Sequence, residues 1–222
     1  MNRLILLLFS ISTLHAFGQS RQGAWESNAA FNYGFKKWKF NSSIGHRTTR
    51  LKQIEGHSNQ FAFWEVNQFI SRSVNARFTG SLGYKYRILN PSDSESGVEQ
   101  RLTQQLAFVH TNQRIRILSR LRIEQRFFDD EFQHRYRYRL SMDMPLSGYK
   151  IDIREFYFIA SNEALIEFID SKSGLDNRIS LGLGYVASNL YKVQIDFTQR
   201  LERLNEKVDY IPFVHTSLIF NL

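Results

Sequence analysis

Residues 114–128 read RIRILSRLRIEQRFF, and residues 132–144 read FQHRYRYRLSMDM. In both stretches apolar and charged side chains alternate with a period of two residues, as in a β-strand and unlike a helix. The pattern therefore predicts two neighbouring strands, each with an apolar face and a charged face. The apolar face carries Ile115, Ile117, Leu121, Ile123, Phe127, Phe132, Tyr136, Tyr138, Leu140, Met142 and Met144. The charged face carries Arg116, Arg120, Arg122, Glu124, Arg126, Arg135, Arg137, Arg139 and Asp143.

The same alternation recurs along the chain, and eleven segments read as strands. These segments are 24–34, 38–50, 59–70, 73–88, 98–111, 114–128, 132–144, 149–160, 176–187, 192–203 and 208–222. Short turns at 35–37, 71–73, 111–113, 145–148 and 188–190 alternate with polar connections at 48–58, 89–97, 129–131, 161–175 and 204–207. Many of the segments are longer than the roughly 5–6 residues usual in soluble proteins and suffice for the roughly 9–11 residues that cross a bilayer. Tight turns alternating with longer loops are typical of outer-membrane barrels.

We therefore predict an all-β fold, an antiparallel up-and-down transmembrane β-barrel of about 10–12 strands. Bacterial single-chain barrels have even strand numbers, so ten and twelve strands are both open and twelve are favoured. Either one strand is missing from the reading, in 161–175 or before Trp25, or the segment 24–34 is not a barrel strand. Residues 162–170 could form that strand or a short lid helix over the barrel mouth. Breaks in the alternation around Phe63 and around 154–156 predict β-bulges.

The two ends of the chain indicate where the protein is located. Arg3, the apolar residues 4–14 and the small residues Ala16 and Gly18 have the order of a secretory signal peptide. We predict a signal peptide over 1–18 and a single barrel domain over 19–222. The closing sequence TSLIFNL, residues 216–222, resembles the signal read by the machinery that inserts barrels into the outer membrane. The expected location is the outer membrane, and the expected partners are its lipids, lipopolysaccharide and that barrel-assembly machinery.

The composition limits which further partners, metals and cofactors are expected. The formal net charge is +8, but the arginines alternate along strands instead of forming a basic helix or tail, so nucleic acid is not expected. The chain contains no cysteine, which excludes disulfides and iron–sulfur clusters. The histidines show no metal-ligand spacing, and Asp93 and Glu95 lack the glycine and ligand spacing of a calcium loop. No metal and no cofactor is predicted.

Aromatic residues make up 14% of the chain, and many lie towards strand ends or on apolar faces. This placement predicts the aromatic girdles of a membrane barrel. The girdle residues would be Trp25, Phe31, Tyr33, Phe35, Trp38, Trp64, Tyr84, Tyr86, Tyr136, Tyr138, Tyr149, Tyr185 and Tyr191.

Three motifs occur together: R-x-R-x-E-x-R at 120–126, RYRYRL at 135–140 and DNRISLGLGY at 176–185. With Trp25 and the Lys37–Trp38 turn, they resemble an uncharacterised family of outer-membrane β-barrels, a domain of unknown function common in Bacteroidota. The resemblance extends over nearly all of the chain after residue 18. It implies an outer-membrane barrel and carries no established activity.

The arginine-rich face would point into the barrel lumen. Arginine does not discharge by losing its proton, so each guanidinium needs water, a carboxylate or an anionic ligand. The candidate carboxylates Glu99, Glu124, Asp143, Asp152 and Glu155 are fewer than the arginines. The lumen would therefore hold a packed salt-bridge network, a path for small anions, or rim arginines that contact lipopolysaccharide phosphates. The predicted lumen or anion-binding residues are Arg116, Arg120, Arg122, Arg126, Arg135, Arg137, Arg139, Glu124, Asp143, Arg154, Glu155 and Arg178.

The leading functional prediction is a non-enzymatic outer-membrane barrel, either structural or a narrow channel that favours anions. One alternative is an outer-membrane lipid hydrolase, because His215 and Ser217 lie on the same face of one strand. That face points into the lumen, however, so polar filling of the lumen is the simpler role for the pair. The other alternative is a secreted β-sandwich that binds acidic ligands.

Overall fold

The computed structural model describes residues 22–53, 56–92, 96–129, 131–169 and 172–222. The predicted signal peptide over 1–18 lies outside these residues, as do Asp93 and Glu95. Within the described residues no helix is long and apolar enough to cross a membrane, a finding about helices alone. The strands are β1 Gln22–Phe35, β2 Trp38–Gln53, β3 Gly56–Ser73, β4 Phe78–Leu89, β5 Gly97–Asn112, β6 Ile115–Phe127, β7 Phe132–Pro145, β8 Phe156–Ile169, β9 Lys172–Val186, β10 Tyr191–Glu202 and β11 Asp209–Asn221.

The eleven strands close into one barrel, in which sequence neighbours pair antiparallel and β1 pairs with β11. The closing pair is parallel and runs from Ala24 opposite Phe213 to Asn32 opposite Asn221. With an odd strand number, the first and last strands of an up-and-down sheet point the same way, so closure has to be parallel. The predicted all-β barrel of about 10–12 strands is confirmed. The favoured count of twelve strands is wrong, because the barrel has eleven. The sheet is closed, so the alternative of a β-sandwich with two packed sheets is wrong as well.

The largest error of the sequence prediction concerns β8. It was expected over 149–160 and followed by a polar loop over 161–175, whereas the strand runs from Phe156 to Ile169 and pairs with β9. Leu165 points into the lumen, where it is 1% exposed, and Asn162 is an exposed residue that bonds to Asn177 across the pair. These two residues depart from the expected alternation, because an apolar side chain faces the lumen and a polar side chain faces outwards.

The predicted loop over 48–58 is also mostly strand, because β2 extends to Gln53 and β3 begins at Gly56. The bulge expected near Phe63 is confirmed: Arg47 faces Phe63 and Thr48 faces Phe61, which leaves Ala62 as the extra residue. The second expected bulge is wrong. Arg154 lies in the connection between β7 and β8 and has a φ of 63°.

The connections form two sets, one at each end of the barrel. The C-terminal end, where β11 finishes, carries connections 36–37, 74–77, 113–114, 146–155 and 187–190. The opposite end carries 54–55, 90–96, 128–131, 170–171 and 203–208. The expected contrast between tight turns at one end and long loops at the other is wrong, since the longest connection, 146–155, is at the C-terminal end.

The alternation of faces is confirmed around the barrel. Large apolar side chains face outwards and are exposed, including Leu82 at 61% and Ile195 at 53%. All the predicted girdle residues except Tyr185 are exposed. Inside, Gly184 leaves room for the Tyr157 ring, which a Cβ at Gly184 would overlap. The barrel is thus apolar outside and polar inside, the reverse of a soluble protein.

Candidate functional site

The lumen contains most of the residues that the sequence singled out. The predicted residues on β6, β7 and β9 lie among other inward-facing charges: Arg116, Arg120, Arg122, Glu124, Arg126, Arg135, Arg137, Arg139, Asp143 and Arg178. Arg154 and Glu155 lie instead in the 146–155 connection, where Glu155 accepts a hydrogen bond of 3.1 Å from Ser147. Asp152, expected as a carboxylate partner, lies in the same connection.

Two glutamates form the centre of the lumen network. Glu99 is 0% exposed and Glu124 is 1% exposed. Each contacts three arginines. For Glu99 the nitrogen–oxygen distances are 2.5 Å to Arg101, 2.8 Å to Arg126 and 3.1 Å to Arg87. For Glu124 they are 2.8 Å to Arg137, 3.2 Å to Arg101 and 3.8 Å to Arg135.

Three further glutamates extend the network around the wall. Glu163 lies 2.5 Å from Arg137, and Glu167 lies 2.5 Å from Arg126 and 2.7 Å from Arg135. Glu65 pairs with Lys85 at 2.7 Å and Arg87 at 2.5 Å. We call this set the ionic plug, and it consists of Glu65, Lys85, Arg87, Glu99, Arg101, Glu124, Arg126, Arg135, Arg137, Glu163 and Glu167.

The ionic plug is cross-linked, because each of its arginines contacts two of its carboxylates. Buried charges are tolerated only when they are paired and hydrogen-bonded, and this pairing meets that requirement. The bonds connect strands β3 to β8, so the plug ties together more than half of the barrel wall from the inside.

A second cluster lies across the parallel closing pair. Glu26 of β1 contacts Arg47 of β2, Arg200 of β10 at 3.0 Å and His215 of β11 at 2.9 Å. The Arg200 guanidinium stacks 3.6 Å from the centroid of the Phe213 ring, which is buried. One carboxylate thereby joins the four strands on either side of the barrel seam.

This cluster bears on the proposed hydrolase pair. His215 uses Nδ1 to donate a hydrogen bond to Glu26. Among the hydrogen bonds of the described residues, none joins His215 to Ser217. A serine nucleophile needs its base within hydrogen-bond reach. His215 binds Glu26 of the neighbouring strand β1, and Ser217 lines the lumen without a hydrogen bond to His215.

Beside the ionic plug the lumen contains a cavity of about 770 Å³. We call it the lumen cavity, and its wall on β6 and β7 carries Arg120, Arg122, Arg137 and Arg139. Its remaining walls combine neutral side chains, among them Asn28, Asn67 and Gln194, with the charged residues Glu26, Glu65, Glu163, Arg178, Lys192, Asp196 and Arg200. Within the part of the chain that the structure describes, no group of three or more His, Asp or Glu residues is arranged to hold a metal.

The sequence prediction missed several members of these clusters. Glu163 and Glu167 were assigned to a loop, and Glu26, Arg47, Glu65 and Arg101 were not singled out. For Arg101 a signal was present, because its neighbour Leu102 is apolar and faces outwards. For Glu163 the signal was weak, because its neighbour Asn162 is polar and faces outwards.

Comparison with curated proteins and with solved structures gave no match. In a comparison with protein families, residues 22–209 match DUF2490, which is described as a protein of unknown function. The matched residues extend from the first residue of β1 to the first residue of β11. The resemblance to an uncharacterised domain is therefore confirmed at the level of the family, while an outer-membrane location for it stays a prediction. Because the match covers most of the sequence, this chain belongs to the DUF2490 family.

Proposed function

We propose that the protein is a non-enzymatic β-barrel of the outer membrane, exported by the segment 1–18, whose lumen the ionic plug keeps closed. The observation that carries the proposal is the outer surface. Exposed apolar and aromatic side chains surround the barrel, such as Leu121 at 46%, Tyr138 at 50% and Ile195 at 53%. Soluble proteins seldom expose apolar patches of this extent, whereas lipid-facing barrel walls require them.

Strand length supports the same proposal. The strands contain between 12 and 18 residues, and a tilted strand needs about 9–11 to cross a bilayer. Closure also leaves no unpaired sheet edge, as lipid requires, because backbone groups without a partner are costly in hydrocarbon. Lipids and lipopolysaccharide would then contact the apolar wall and its aromatic rims.

The buried centre of the plug supports a structural role in preference to an open pore. Glu99 and Glu124 are almost without exposure, and the arginines around them connect carboxylates of neighbouring strands inside the lumen. An ion crossing this level would have to separate paired charges. We therefore expect a barrel that stays closed at rest.

A narrow anion-favouring channel is the second candidate, and one observation favours it. Arg122 and Arg139 line the lumen cavity, and neither forms an ion pair with a carboxylate among the described residues. Charged rings of one sign set pore selectivity. A lumen that opened would therefore favour anions over cations.

Folding of the barrel is tested by electrophoresis. The protein folded in detergent should migrate differently on an SDS gel before and after boiling, as closed barrels do. Fractionation of cells should recover it with the outer membrane. An unboiled sample that runs with the boiled one, together with recovery in the soluble fraction, would refute the membrane proposal.

Planar-bilayer recording separates the structural role from the channel. Closed bilayers at all voltages support the structural role. Steady currents that favour anions would replace it with the channel, and the anion preference should then fall in the variant Arg122→Ala/Arg137→Ala. Arg203→Ala is the matched control, because Arg203 lies in the 203–208 connection and its side chain is 56% exposed.

A further inference from the structure

We propose that the lumen cavity binds a phosphate group through Arg120, Arg122 and Arg139. These arginines lie on the adjacent strands β6 and β7, and Arg120 is directly opposite Arg139. Arg122 is two residues further along the same face as Arg120, about 7 Å away along the strand. Together with Arg137, these three guanidinium groups line one wall of a cavity of about 770 Å³.

Two of the three arginines form no ion pair with a described carboxylate. The Nε of Arg122 donates to the Gln105 side chain at 2.6 Å, and Nη2 of Arg139 donates to the Ser161 hydroxyl at 2.9 Å. The Nε of Arg139 is buried and has no hydrogen-bond partner. Both guanidinium groups therefore retain hydrogen-bond donors, and no described carboxylate lies within 4.0 Å of either one.

The third arginine is only weakly compensated. Arg120 lies 3.4 Å from Glu163, and that carboxylate is also 2.5 Å from Arg137 and 3.8 Å from Arg178. One negative charge is thus shared among three guanidinium groups. Directly opposite like charges destabilise a strand pair, and this applies to Arg120 with Arg139 and to Arg122 with Arg137.

The contrast with the ionic plug makes the surplus a local property. Each plug arginine contacts two carboxylates, although two of the plug strands, β6 and β7, also carry Arg120, Arg122 and Arg139. The cavity is also lined by the carboxylates Glu26, Glu65, Glu163 and Asp196. Of these, only Glu163 lies within 4.0 Å of the three arginines, and it contacts Arg120 alone among them. An anion placed in the cavity would complete the pairing.

Phosphate fits the donors better than chloride or a simple carboxylate. Arginine presents planar pairs of N–H donors that match phosphate oxygens bidentately. A phosphate group carries close to two negative charges and three strong acceptor oxygens, enough to engage three guanidinium groups. The neutral side chains of Asn28, Asn67 and Gln194 on the other walls suit a polar remainder, so the group could be free or esterified.

The test is calorimetry on the whole barrel folded in detergent, titrated with inorganic phosphate and separately with glycerol phosphate. We expect saturable phosphate binding, weakened about tenfold or more in Arg122→Gln and in Arg139→Gln, since each removes charged hydrogen bonds. Arg203→Gln should bind like the unaltered protein, because Arg203 lies in the 203–208 connection. Tighter binding of glycerol phosphate would assign an ester, and equal or weaker binding would assign the free ion.

Two outcomes would overturn the inference: no saturable binding at millimolar phosphate, or equal affinity in the unaltered protein and both glutamine variants. The boiling-dependent gel shift verifies that each variant is folded, and Arg122→Lys, which keeps the charge and loses the planar fork, replaces a glutamine variant that does not fold. The phosphate site rests on the proposed function only in that it requires a folded barrel with an intact lumen. Loss of the gel shift in the unaltered protein refutes the proposed function, whereas lost binding with the shift intact refutes the phosphate site alone.

Discussion

Removal of one plug carboxylate should destabilise the barrel less than removal of two that share an arginine. Glu124→Gln takes one negative charge from a residue that is 1% exposed. Each of its three arginine partners keeps another carboxylate within 4.0 Å. Removing one member of a buried ion pair costs about 3–5 kcal/mol. With every arginine still paired, we expect a loss in unfolding free energy of about 3 kcal/mol, at the lower end of that range.

Glu99→Gln should behave in the same way, because Arg87 and Arg126 keep Glu65 and Glu167. The double variant differs, since Arg101 then has no carboxylate partner left among the described residues. Its loss of stability should exceed the sum of the two single losses by about 0.5–3 kcal/mol, the usual size of coupling within one network.

The assay is equilibrium unfolding by urea in detergent micelles, followed by tryptophan fluorescence and by the gel shift. Trp25, Trp38 and Trp64 all lie on the outer surface, where unfolding changes their surroundings. The matched control is Asp143→Asn, which breaks the rim pair with Arg116, whose side chain is 54% exposed. That substitution should change stability by no more than about 1 kcal/mol.

Additive losses of unfolding free energy in the single and double variants would refute this reasoning. If the double variant equals the sum of the single variants within about 0.5 kcal/mol, Arg101 does not couple the two glutamates. The lumen would then be a set of independent pairs, and the ionic plug would not be one cross-linked unit.

Three further outcomes follow from single contacts. Gly184→Val should destabilise the barrel by about 1–3 kcal/mol, because the new side chain overlaps the Tyr157 ring; Tyr157→Ala should relieve part of that loss in the same urea assay. Phe213→Leu should lower stability by about 1 kcal/mol through the lost cation–π contact with Arg200, and equal unfolding midpoints would contradict this. Ser217→Ala should leave lipid turnover in cells unchanged, since no described hydrogen bond joins this serine to His215; reduced turnover would revive the hydrolase.

The alternation between Arg114 and Met144 was sufficient to predict which residues face outwards and which face the lumen. Face assignment is a local property, because a strand places successive side chains on opposite sides whatever its partners are. The prediction failed at β8, where Leu165 faces inwards and Asn162 outwards. Those exceptions depend on neighbouring strands and cannot be read from one segment.

The sequence by itself determined an all-β chain with an apolar outer face and an arginine-rich inner face. Only the tertiary structure decided the strand count of eleven, the parallel closure between β1 and β11, and the pairing of charges. Ion pairs such as Arg126 with Glu167 connect residues 41 positions apart in sequence, so they depend on register and closure. Period-two alternation is local and charge pairing is not. The sequence therefore placed the arginines in the lumen without showing that five of them are paired in the ionic plug, or that Arg120, Arg122 and Arg139 line the lumen cavity.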